Sequence, residues 1–304
     1  MSVVTSNNGS QEQSGLHASG RGWPIVLAFV AILSIGGWTY LVAMIADMVP
    51  VMDMTEAGPG MGLFNQFNIF RGLSDEARAA LAVICLPAGA TFGMPTPDLN
   101  GIDLLKVFLM WSMMSMAMML PTAVPMLKTY FGWIGTEGNG ERSVTFAVMA
   151  CALGYLSIWL GYAVAATLAQ WLLSKAGGLS DMMAPATLAL TTSVLFAAGL
   201  YQFTPAKKSC LQRCWYPRWV FSGERQAGMT SGYREGLIQG LTCLGCCWAV
   251  MTVMFAVGLM NIVWIALLGG VMALEKTFPS RVFPAVIGVF LIAWASFLTA
   301  TIYF

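Results

Sequence analysis

Three cysteines stand close together in one apolar run: Cys243, Cys246 and Cys247 lie within GLIQGLTCLGCCWAVMTVM, Gly236 to Met254. At 3.6 residues per turn, Gly236, Gly240, Cys243, Cys247, Met251 and Met254 fall on one helical stripe. Two thiols followed by two thioethers are soft donors of the kind that suits Cu(I). Cys246 lies about 100° around the helix from Cys247, which predicts that it packs rather than ligates. A plainer reading competes, because free cysteine is a small buried hydrophobe and methionine a common gap-filler. The two glycines at the start of the run would let a second helix approach closely.

Two further groups of soft donors accompany this run. In MWSMMSMAMMLPTAVPM, Met110, Met114 and Met118 repeat every four residues, with Met113 and Met116 beside them. Leucine would pack as well, so the bias toward sulfur sets a ligand or conduit role beside simple packing. Pro121 and Pro125 follow at the same spacing and predict a kink with freed backbone carbonyls. In YQFTPAKKSCLQRCWYPRWVFSGERQAG, Cys210 and Cys214 are spaced i, i+4 and would share a helix face. There they would take a soft metal from a donor, or pack at an interface. The candidate metal ligands are therefore Cys243, Cys247, Met114, Met118, Met251, Cys210 and Cys214, with copper as the expected ion.

What the chain lacks narrows its chemistry further. Its single histidine, His17, lies in the polar start of the sequence, MSVVTSNNGSQEQSGLHASGRG, so the apolar remainder offers no imidazole. Histidine-ligated haem and histidine zinc sites are excluded there, as is a Ser-His-Asp triad. No GxxxxGK[ST] phosphate loop occurs, and no basic patch interleaved with aromatics points to nucleic acid. The expectation is a binding or handling protein, not an enzyme.

The elements that must carry these residues follow from composition. Charged residues make up 10% of the chain, against about 25% in soluble domains, and hydrophobic ones 58%. This predicts an all-α polytopic membrane protein, a bundle of about seven transmembrane helices. The spans expected are Trp23–Met48, Asp103–Leu127, Thr145–Leu173, Ala184–Thr204, Glu235–Val257, Asn261–Glu275 and Val282–Tyr303. Residues 1–22 read as a disordered cytoplasmic tail and 23–304 as one bundle. Within that bundle, 49–102 is an outside segment carrying an extra interfacial helix that starts near Ser74, and 205–234 is a basic cytoplasmic loop. Eleven lysines and arginines then fall on the side of the N-terminus and four on the other, which sets the N-terminus inside and the C-terminus outside.

Depth along the helices offers an alignment. At about 1.5 Å per residue, Met118 matches Cys243 and Cys151, Met114 matches Cys247, and Met110 matches Met251, provided the second and fifth spans are neighbours. Gln202 and Glu275 lie near the inner boundary, where an ionisable group is a functional hypothesis and an ion pair with Lys276 the milder account.

Four stretches together, WSMMSMAMMLP, YQFTPAKKSCLQRCWYP, GLTCLGCCWAVM and MNIVWIALLGGVMALEK, resemble an uncharacterised family of predicted metal-binding bacterial integral membrane proteins. The resemblance spans about residues 103–276. It carries over to Trp111, Met114, Met118, Pro121, Tyr201, Gln202, Lys207, Cys210, Cys214, Cys243, Cys246, Cys247, Trp248, Asn261, Glu275 and Lys276. It implies a multi-pass protein of the bacterial inner membrane with a metal site, and no established activity. Two functions stay open. One is copper binding, delivery or transport through a Cys/Met site, serving a copper-dependent membrane enzyme or a copper chaperone. The other is an accessory or structural subunit of a larger membrane complex, with glycine- and methionine-rich faces as oligomer or subunit contacts.

Overall fold

A computed structural model describes residues 22–49, 53–68, 72–73, 101–136, 139–179, 184–185, 187–221 and 228–303. These residues are helical almost throughout. In chain order they form α1 Gly22–Met48, α2 Gly101–Thr122, α3 Val124–Gly135, α4 Glu141–Lys175, α5 Leu188–Tyr201 and α6 Pro205–Trp215. Then come α7 Met229–Thr252, the single turn α8 Met254–Val257, α9 Ile262–Thr277 and α10 Val282–Tyr303. Two short 3-10 helices, Met54–Ala57 and Met61–Phe67, follow α1.

Among the described residues, five helices are long and apolar enough to cross a membrane: Gly22–Met48, Gly101–Thr122, Glu141–Lys175, Met229–Val257 and Val282–Thr301. The expected count of about seven is too high. The expected fourth and sixth spans are α5, with 14 residues, and α9, with 16. At 1.5 Å per residue they reach about 21 and 24 Å, short of the roughly 30 Å hydrocarbon thickness. Local chemistry sets their ends. Thr204 and Pro205 start a new helix straight after α5, the Thr204 hydroxyl accepting from the Lys207 N–H. Gly258, at φ 99°, turns the chain after α8, and the Asn261 side chain caps α9 by accepting from the Trp264 N–H. The expected interfacial helix near Ser74 and the tail before Gly22 lie outside the described residues.

The longest seam joins α4 and α7, and it is built on glycine. A methyl group at Gly232 would run into the Ala147 carbonyl, at Gly236 into the Cys151 carbonyl, and at Gly154 into the Tyr233 carbonyl. Only hydrogen at these positions lets the two backbones approach so closely. The pairings rise together along both chains, so α4 and α7 run parallel, and α5 brings the chain back between them. In α2, Pro121 has no N–H to give the Ala117 carbonyl, which instead accepts from the Trp38 indole of α1 at 3.1 Å.

The two short helices shape the site. Tyr201, the last residue of α5, donates its hydroxyl to the Gly245 carbonyl at 2.5 Å. Lys276, near the end of α9, reaches Cys243. Both helices thus stop beside the middle of α7 and leave a notch at the end of the bundle where α7 begins. Helix α6 fills that notch. Its Cys210 sulfur sits where a side chain at Gly245 would be, and Gln239 of α7 donates to the Pro217 carbonyl just past α6, at 3.4 Å.

Candidate metal centre

On α7 the sulfurs of Cys243, Cys246 and Cys247 all lie within 4.8 Å of one another, and all three residues are buried. Cys246 and Cys247 are 3.2 Å apart at sulfur, and Cys246 donates to the Cys243 carbonyl at 3.1 Å. A metal–thiolate bond of about 2.3 Å would set three sulfurs about 4 Å apart around one ion, so the group has the right dimensions for a single soft cation. The expectation that Cys246 turns away is corrected by this geometry. The spacings 243/246 and 243/247 are i, i+3 and i, i+4, both same-face neighbours, so one wedge of helix presents all three thiols.

Groups from three other helices converge on Cys243. The Tyr155 hydroxyl of α4 lies 2.8 Å from its sulfur and donates toward the Met119 carbonyl of α2 at 3.2 Å. The Lys276 ammonium donates to the Cys243 sulfur at 2.9 Å and to the Thr122 hydroxyl at 2.6 Å, with the Met119 sulfur 4.0 Å away. The charge of Lys276 therefore opposes the negative charge that thiolates bring to a buried site. Beside these groups is a cavity of about 30 Å³ lined in part by Thr122, Met126, Tyr155, Cys214, Cys243 and Lys276. One water-sized sphere needs about 10–15 Å³, so a small ion fits.

The remaining predicted ligands divide. Cys214 of α6 brings its sulfur within 3.7 Å of Cys246. Cys210, one turn earlier, packs against Gly245. Its partial burial pushes the thiol up from the ordinary range, with Arg213 pulling it down more weakly. Met118 packs against Gly269 of α9. Met114 and Met251 are fully buried in the core. α2 packs mainly on α1, α4 and α9, and it meets the expected fifth span where Trp111 stacks on Phe255, 5.3 Å between ring centres. Cys151 lies instead in the glycine seam, its carbonyl facing Gly236.

The notch is fastened by a buried ion pair. Lys207 of α6 and Glu275 of α9 are both fully buried, with the ammonium 2.7 Å from one carboxylate oxygen and 2.9 Å from the other. Lys207 also donates to the Gln202 side chain, and the Trp215 indole donates to the Glu275 carbonyl at 2.9 Å. Adjacent residues of α9 thus hold different partners: Glu275 holds α6, and Lys276 holds the thiol of α7.

The chain matches the family described as PpoB2, copper chaperone, over residues 108–298. It belongs to that family. No curated protein and no solved structure matches it. The matched stretch contains Met119 and Thr122 of α2 and all of α4, α6, α7 and α9, and so every group named around Cys243. Membership supplies a copper-related description that the resemblance in sequence lacked. Tyr155, Thr122 and Met119 were not singled out in the sequence. No motif marks Tyr155, although it sits one turn from Cys151 on the face of α4 that meets α7.

Proposed function

We propose that this protein is a membrane-embedded chaperone that holds one Cu(I) on Cys243, Cys246 and Cys247 and passes it to a copper-dependent enzyme. It performs no turnover chemistry of its own. The observation that carries this reading is three buried thiols within 4.8 Å beside a small cavity, in a chain of a copper-chaperone family. Thiolate-only donor sets favour Cu(I) over harder cations. Tyr155, Thr122 and Lys276 orient and charge-balance Cys243, as groups just beyond a metal's ligands commonly do.

The five long apolar helices support a multi-pass position in the cytoplasmic membrane, with the bilayer as the first partner. Among the described residues, Lys128, Arg142, Lys208, Arg213, Arg218, Arg234 and Arg281 gather at the end where α7 begins, and Lys106 and Lys175 at the other. That asymmetry supports a cytoplasmic thiol end, an inside N-terminus and an outside C-terminus. The direct test is copper retention by purified, reduced protein against a Cu(I)-selective chelator. Wild type should keep about one equivalent, and Cys247→Ser should lose it at the first chelator addition. Equal retention by the two proteins would overturn the assignment.

A further inference from the structure

We infer that Cys214 and Cys246 form a transfer station through which Cu(I) reaches the three-thiol group from outside the bundle. This inference rests on the copper reading above and adds a route to it. Cys246 is shared, since its sulfur lies 3.2 Å from Cys247 and 3.7 Å from Cys214. It therefore belongs to two adjacent donor pairs, one within α7 and one between α6 and α7. Cys214 is half-buried, whereas Cys243, Cys246 and Cys247 are 0–3% exposed. It is thus the thiol of the four that an incoming carrier can touch. Cys214 and Cys243 also border the same 30 Å³ cavity, so an ion leaving Cys214 has space in which to move.

The surface around Cys214 selects the form in which copper arrives. Lys208, Arg213 and Arg218 are exposed on and just past α6. A Cu(I) bis-thiolate complex is anionic, and such a surface raises its local concentration and its rate of approach. Cys210 differs from Cys214 in that its sulfur is wedged against Gly245.

The exchange keeps copper monovalent throughout. Cys214 loses its proton and bonds to carrier-held Cu(I), and one carrier thiolate leaves with that proton. Cys246 then bonds in the same way, and the second carrier thiolate leaves with the proton of Cys246. Cys247 and Cys243 bond last, displacing Cys214, which takes back one of their two protons, while the other goes to solvent. No oxidant or reductant is consumed.

The test uses the full chain in detergent, glutathione-buffered Cu(I) as carrier, and timed quenching with a chelator. Cys214→Ser should retain wild-type copper at equilibrium but load at least tenfold more slowly, and Cys210→Ser should load at the wild-type rate. Wild-type loading by Cys214→Ser would overturn the station and leave the three-thiol reading intact. Loss of equilibrium retention in Cys214→Ser, to the level of Cys247→Ser, would also overturn it, by making Cys214 a resting ligand. Copper retention unaffected by Cys247→Ser would instead defeat the underlying reading. As a check independent of folding, alkylation of Cys214 by iodoacetamide in folded Cys210→Ser protein, a cap that glutathione cannot remove, should slow loading, whereas the same treatment of Cys210→Ser/Cys214→Ser protein should change nothing. Alkylation of Cys214 without effect would count against the station.

Discussion

Replacing Lys207 with methionine should be among the most damaging single changes in the notch. Lys207 is fully buried, and both oxygens of the equally buried Glu275 lie within 2.9 Å of its ammonium. Methionine approximates the aliphatic stem, so little packing is lost. What remains is an unpaired carboxylate in the interior, and breaking such a pair costs about 3–5 kcal/mol. Removing both charges together, in Lys207→Met/Glu275→Met, should bring the cost back to near zero, since buried pairs exchange almost neutrally for apolar side chains. The assay is a double-mutant cycle of unfolding in detergent, followed by tryptophan fluorescence, because Trp215 is hydrogen-bonded to the Glu275 carbonyl. The same release of α6 should slow copper loading in the single variant, as Cys214 moves off Cys246. A cost under 1 kcal/mol for Lys207→Met, or additive singles, would refute the view that this pair fastens α6 into the bundle.

Three other outcomes follow from the packing. Gly236→Ala sets a methyl group against the Cys151 carbonyl, with the Tyr155 amide nitrogen 2.9 Å away. It should cost about 1–3 kcal/mol by overpacking and loosen copper retention, as the Tyr155–Cys243 contact shifts. Met118→Leu should leave copper retention unchanged, because that side chain faces Gly269; a loss in a retention assay would return α2 to the ligand set. A reporter fused after Tyr303 should read as outside the cytoplasm, and a cytoplasmic signal would invert the proposed orientation.

Composition and glycine spacing made much of this architecture legible in the sequence. The apolar runs gave the helices, and Gly236 and Gly240 marked the face on which α7 meets a partner. Pro121 foretold a freed carbonyl, which Trp38 takes. The span count fails because hydropathy reports apolarity and not whether a helix is long enough to cross. Pro205 stops α5 early, whereas α9 matches the expected Asn261–Glu275 and is simply too short, and both leave room for α6. The spacing shows all three thiols, but the 100° between Cys246 and Cys247 hides that both are same-face neighbours of Cys243, at i, i+3 and i, i+4. The methionine ladder is a different case. Depth along a helix can be counted from sequence, but which helices touch cannot, and α2 packs mainly on α1, α4 and α9. Tyr155, Thr122 and Met119 reach the site through tertiary packing alone.

If Cys243, Cys246 and Cys247 together hold one soft ion, X-ray absorption on reduced, copper-loaded protein will read it, in wild type and in Cys246→Ala. Wild type should show monovalent copper with three sulfur neighbours at about 2.3 Å, falling to two in Cys246→Ala. A spectrum dominated by oxygen or nitrogen neighbours, or one that Cys246→Ala leaves unchanged, would contradict it.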